Sequence, residues 1–96
     1  MGTSYAATVR TRVLDVAPDD EFDLVQRLTE SLPEGAGVHT DRRPDRLVIE
    51  MVVGVNAQDA SQVQLQAREL CRRALDSAGM NEGRAPLVDI SVATST

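Results

Sequence analysis

The chain has 96 residues, a net charge of −5 and one cysteine, which predict a single domain over residues 1–96 without an intramolecular disulfide bond. Its acidity argues against binding to nucleic acid or to acidic membranes, and the presence of only one Phe, one Tyr and no Trp argues against base stacking. No apolar run approaches the roughly 20 residues that span a bilayer. The first residues, Met1-Gly-Thr-Ser, lack the basic and apolar regions of a signal peptide, so we expect a cytoplasmic protein.

The first strand is predicted from Ser4 to about Val16, because apolar residues recur at every second position over much of this stretch. The turn at residues 17–20 then starts a helix, since Pro18 stops a strand and the aspartates that follow can cap helix amides. Four apolar residues of this helix recur at helical spacing and are expected to face the core: Phe22, Val25, Leu28 and Leu32.

The strongest strand signal lies between Arg46 and Asn56. Every second residue is apolar, while the opposite face mixes valine with Glu50. A short strand over residues 36–41 precedes it, and the turn at 42–45 joins the two strands as a hairpin. The apolar face is expected to lie under the helices and consists of Leu47, Ile49, Met51, Val53 and Val55.

A second helix is predicted after residues 56–59, and Gly79 is expected to end it. Small residues dominate its apolar stripe, which lets the helix lie close to the sheet. The stripe includes Val63, Ala67, Leu70, Cys71 and Ala74. After Pro86 the last strand alternates an apolar set, Val88, Ile90 and Val92, with Asp89, Ser91 and Ala93.

The order β-α-β-β-α-β predicts an α+β fold that resembles the ferredoxin-like sandwich over the whole chain. Right-handed crossovers place both helices on one face of a four-stranded antiparallel sheet, with the first and third strands in the middle. The resemblance is one of architecture, and this fold carries many unrelated functions.

The sequence offers few residues for catalysis or for binding a metal or cofactor. His39 and Asp41 share a strand face, but they supply two metal ligands at most. Cys71 lies in the helix stripe, where a thiol acts as a small hydrophobe. Amino-acid-sensing ACT-like domains usually carry a glycine at the first turn, and residues 17–20 have none. We therefore predict no catalytic residue, no metal site and no cofactor.

Two surfaces remain as candidates for binding. The open face of the sheet is expected to pack against a second subunit in a homodimer, through Arg10, Arg12, Val48, Glu50, Val52, Asp89 and Ser91. The hairpin turn carries the only dense basic cluster, which is either a plain exposed turn or a docking site for an acidic protein partner: Arg42, Arg43 and Arg46. A further set of polar residues is expected to gather at the rim where both helices begin, either as helix caps or as a weak cation site: Asp15, Asp19, Asp20, Asn56 and Asp59.

The leading hypothesis is a non-catalytic interaction or regulatory module that works as a small homo-oligomer. The last strand is a second route to association, because it carries one charge, Asp89, and no proline after Pro86. The alternative is a small dimeric ferredoxin-like enzyme or an ACT-like ligand sensor with a pocket between sheet and helices. Its polar groups would be Arg10, Arg12 or His39. A deep polar pocket would favour the alternative, and a filled aliphatic core would favour the module.

Overall fold

The computed structural model describes residues 3–14 and 16–94, which form one four-stranded antiparallel sheet and two helices. The order across the sheet is β2-β3-β1-β4, so the two longest strands lie in the middle. This arrangement confirms the predicted ferredoxin-like α+β fold. The elements are β1 (Thr3–Val13), α1 (Pro18–Ser31), β2 (Gly37–Arg42), β3 (Leu47–Ala57), α2 (Ala60–Ser77) and β4 (Leu87–Thr94).

The core lies between the helices and one face of the sheet, and β3 and α2 form its centre. The predicted face of β3 is buried, and Ile49, Met51 and Val53 are wholly inaccessible to solvent. The predicted stripe of α2 is confirmed at Val63, Ala67, Cys71 and Ala74. It is wrong in placing Leu70, which is only partly buried, and in omitting Leu75, which is fully buried. Position 75 is one helical turn after the buried residue 71 and therefore shares its face.

The buried face of α1 differs from the predicted one at Phe22 and Leu24, whereas Leu28 and Leu32 are buried as predicted. Phe22 is 78% exposed, and the residues that α1 buries are Leu24 and Leu28. Glu21 explains the orientation, since its carboxylate accepts a hydrogen bond from the Thr40 hydroxyl on the neighbouring β2. With residues 21, 24 and 28 turned toward the sheet, residue 22 must point to solvent. The prediction that Phe22 faces the core is therefore wrong.

The two helices are capped differently at their N-termini, and a glycine follows the end of α2. The N-cap of α1 is Ala17, with Pro18 at the first helical position, so the predicted aspartate cap is wrong there. The aspartates of the first turn instead complement the helix dipole. Asp59 does cap α2, accepting a hydrogen bond of 3.0 Å from the Gln62 amide. Gly79 follows α2 with a φ of 82°, a left-handed conformation that suits glycine.

β4 pairs with β1 and forms one edge of the sheet, with a bulge near its start. Arg10 lies opposite Asp89, but the next residue of β1 lies opposite Leu87, so Val88 is an extra residue in the ladder. Val88 is 45% exposed, whereas Ile90 packs against the core. The predicted regular alternation of β4 is therefore wrong at Val88 and correct beyond it.

The segment that leads into β4 is held in place by hydrogen bonds to its carbonyl groups. The Arg72 guanidinium donates to the carbonyl of Ala85, at 2.8 Å, and to that of Met80. The buried Thr11 hydroxyl donates to the Pro86 carbonyl at 2.7 Å. These contacts fix the position from which the edge strand starts.

Candidate functional site

In the part of the chain that the structure describes, the open face of the sheet presents its side chains in rows across the four strands. One row is charged and reads His39, Glu50, Arg10 and Asp89 from β2 to β4. The Arg10 guanidinium lies 3.1 Å from the Glu50 carboxylate and 3.6 Å from that of Asp89. These side chains are a third or more exposed, so each ion pair contributes about 0.2–1 kcal/mol to stability.

The row on one side of the charged row contains Asp41, Val48 and Arg12. The two rows on the other side are small and uncharged. One row contains Gly37, Val52, Thr8 and Ser91, and the next contains Gly54, Ala6 and Ala93. The register thus brings the predicted interface residues to one face. Val48 and Val52 are already partly buried, so this face offers little apolar area for a partner to cover.

The three arginines predicted to bind an acidic partner all have carboxylate neighbours within the chain. Arg43 lies 2.7 Å from the Asp41 carboxylate, and Arg46 lies 3.1 Å from that of Asp45. Both pairs are at the exposed hairpin turn, so an acidic partner would have to compete with these neighbours. Docking at this turn stays a prediction.

Arg42 differs from the other two because it lies in β2 on the helix-facing side and attaches α1 to the sheet. Its guanidinium lies 2.9 Å from the Glu21 carboxylate and donates a hydrogen bond of 3.0 Å to the Val16 carbonyl. Arg42 is therefore an exposed residue at the end of β2 that also holds α1 and the preceding loop against the sheet.

The candidate chemical groups are placed as follows. Cys71 is fully buried, and burial raises the pKa of its thiol to about 11, which keeps it protonated at neutral pH. His39 is exposed on the edge strand β2. Among residues 3–14 and 16–94, no three His, Cys, Asp or Glu side chains come together as a metal site. Of the predicted rim, Asp59 caps a helix, and Asp15 lies outside the described residues.

A shallow groove between α2 and the edge strand β4 is the main surface that the sequence analysis did not single out. It is lined by Ser61, Gln64, Leu65 and Arg68 of α2 and by Ile90 of β4. It continues along β4 past Leu87, Val88 and Asp89. Leu65 is 70% exposed. One signal was present in the sequence, since Leu65 is an apolar residue that lies off the buried stripe of α2.

The two edges of the sheet are protected to different degrees. β2 has six residues, and charged side chains follow one another at its end, with Pro44 in the turn. β4 has eight residues with Asp89 as its single charge. Charges and prolines discourage a second chain from pairing with an edge. β4 is therefore the edge that is open to another strand.

The comparisons with known proteins bear on the fold. No protein-family model and no curated protein matches this chain. Among solved structures, a de novo designed protein, Foldit4, is similar to it with a TM-score of 0.51 and 15% sequence identity, over 97% of each chain. At this identity the likeness supports the architecture alone. No helix of the described ranges is long and apolar enough to cross a membrane.

Proposed function

We propose that this chain is a non-catalytic, cytoplasmic interaction module that works as a symmetric homodimer joined along the free edge of β4. The observation that carries the proposal is that an almost uncharged edge strand lies beside the exposed Leu65 of the adjacent helix. The unpaired backbone groups of an edge can form a ladder with a second strand. Leu65 and Ile90, which line the groove beside them, supply a hydrophobic driving force.

A two-fold arrangement suits this surface. Two copies of one strand can pair antiparallel, so that each subunit uses the same patch, as in most homodimers. A stable dimer buries about 800 Å² per partner, which is about 13% of the 5980 Å² that this chain exposes. The edge of one strand is too narrow for this area, so the exposed side of α2 around Leu65 and Arg68 must contribute to the contact.

The packing of the core supports a module over the alternative enzyme or ACT-like sensor. Either alternative needs a pocket between the sheet and the helices. That space contains Ile49, Met51, Val53 and Cys71, which are all fully buried. The groups suggested for the alternative, such as Arg10 and His39, lie on the opposite face of the sheet.

Some of the predicted interface residues lie on β4 itself, and the others lie on β1 and β3. Asp89 and Ser91 belong to the edge strand and enter the proposed contact. Those on β1 and β3 flank it or remain on the open face. The hairpin arginines Arg43 and Arg46 lie in the turn that joins β2 to β3, strands that β1 separates from β4, and stay accessible to an acidic protein partner.

Light scattering at micromolar concentration tests the dimer, and the expected mass is twice that of the chain. Ser91→Arg introduces a long cation at the edge and should give a monomer, whereas Gln66→Arg introduces the same residue on the solvent face of α2 and should leave the dimer intact. A monomer mass for the unaltered chain contradicts the proposal. A Ser91→Arg variant that stays dimeric contradicts an interface in which residue 91 faces the partner strand.

A further inference from the structure

We infer that the two β4 strands pair in a single register, with Ser91 on the two-fold axis opposite its own copy. This inference rests on the proposed dimer. In this register Ile90 lies opposite the partner's Val92, and Asp89 lies opposite the partner's Ala93. The occupant of the α2–β4 groove is then the same groove of a second copy.

The faces of β4 restrict the choice of register. Residues directly opposite each other in an antiparallel pair point to the same side of the sheet. Ile90 and Val92 lie on the helix side, and Asp89, Ser91 and Ala93 lie on the open side. A continuous sheet with all helices on one side therefore places a residue, rather than the gap between two residues, on the axis.

Charge and the bulge exclude two of the possible axis positions. An axis at Asp89 would set two carboxylates directly opposite each other, which is destabilising. An axis at Ile90 would bring Val88 into the ladder opposite the partner's Val92, and the bulge at Val88 breaks the regular backbone pattern there.

The remaining positions differ in which residues they bring opposite each other. Axes at Val92 and at Ser91 both pair five residues beyond the bulge, 90–94 and 89–93 respectively. An axis at Val92 would set Ile90 opposite the partner's Thr94, whereas an axis at Ser91 sets Ile90 opposite the partner's Val92. The axis at Ser91 therefore matches apolar with apolar on the helix side, and it sets no charge against a like charge.

This register also gives the exposed leucine a partner. Leu65 lines the same groove as Ile90, which is the neighbour of Ser91 in the chain. With Ser91 on the axis, Leu65 of each copy comes close to the two-fold axis. The two leucines then cover the Ile90 and Val92 pairs from the helix side, which removes 70%-exposed apolar surface from water in both copies.

Single-cysteine cross-linking tests the register, because opposite residues in a ladder have Cα atoms about 4.5–5.5 Å apart, within disulfide range. Ser91→Cys should form a covalent dimer on mild oxidation of the native protein. The buried Cys71 stays unreacted in the native protein, and an alkylating agent in the denaturing buffer blocks its thiol as it becomes exposed. Ala93→Cys alone should not cross-link, since the two copies of residue 93 would be about 14 Å apart along the strand. A mixture of Asp89→Cys with Ala93→Cys should give the mixed covalent dimer.

The outcomes separate the register from the dimer itself. If the chain is a dimer by light scattering and Ile90→Cys or Ala93→Cys cross-links while Ser91→Cys does not, the register is wrong and the dimer stands. If the unaltered chain has a monomer mass, the proposed function fails and this inference fails with it.

Discussion

Replacing Leu65 by Ala should weaken self-association without unfolding the protomer. Leu65 is 70% exposed in the single chain, so its loss should change the free energy of unfolding by less than about 0.5 kcal/mol. Leu→Ala removes three carbon groups, worth about 0.8 kcal/mol each when buried. Scaled to the exposed 70%, the loss is about 1.7 kcal/mol per protomer and about 3.4 kcal/mol per dimer. The dimer Kd should rise roughly 300-fold.

Sedimentation velocity over a range of protein concentrations measures this Kd directly. The chain provides a matched control in Phe22, which is 78% exposed but lies on the outer face of α1. Phe22→Ala should leave the dimer Kd unchanged, although it removes a larger apolar side chain. The reasoning is refuted if Leu65→Ala changes Kd by less than about threefold, or if both substitutions weaken the dimer equally.

Three predictions concern the fold and are measured by urea denaturation. Leu75→Ala should lower the free energy of unfolding by about 3–5 kcal/mol, because Leu75 is fully buried, and Leu70→Ala should cost clearly less. Equal costs would contradict the observed face of α2. Arg42→Ser should cost about 1–2 kcal/mol through its lost contacts with α1 and the preceding loop, whereas Arg43→Ser should cost below about 0.5 kcal/mol. The raised pKa of Cys71 contributes stability that is fully present below pH 9.0, which is the pKa of the thiol in the unfolded chain. This contribution is lost as the pH rises to about 11, the pKa of the thiol in the folded chain. The loss reaches about 3 kcal/mol, and Cys71→Ala should remove this pH dependence; a variant with the wild-type slope would assign the titration to another group.

Much of the fold was predictable from the sequence, because strand alternation and helix periodicity are strong signals where they agree with each other. The stretch from Leu47 to Val55 alternates without a break, and it forms the buried face of β3 as expected. The helix α1 was harder. Its apolar residues fit two overlapping stripes, and the contact of Glu21 with β2 that selects between them joins residues far apart in the chain.

The candidate site was less predictable than the fold. Parity correctly grouped residues on the open face, since it follows from the pleat of each strand. The bulge at Val88 depends on the pairing of β4 with β1, which the sequence of β4 alone does not encode. The exposure of Leu65 likewise depends on how α2 lies over the edge of the sheet. Both features arise from tertiary packing.

Asp89 needs an explanation, because a charge on an edge strand usually discourages pairing with another chain. Its carboxylate lies 3.6 Å from the Arg10 guanidinium on the neighbouring β1, so the charge is already compensated within the protomer. In the proposed register it faces the partner's Ala93, and no second carboxylate approaches it. The edge can therefore be covered without burying an unpaired charge, which would cost about 1–3 kcal/mol or more.

This compensation can be tested on the open face itself. Arg10→Gln removes the cation beside Asp89, so covering β4 then leaves that carboxylate unpaired and should raise the dimer Kd about tenfold or more. Arg12→Gln makes the same change two residues further along β1, on the same face but outside the row that contains Asp89, and should have little effect. If Arg12→Gln weakens the dimer as much as Arg10→Gln, the whole open face takes part in the contact, and association along the β4 edge alone is excluded.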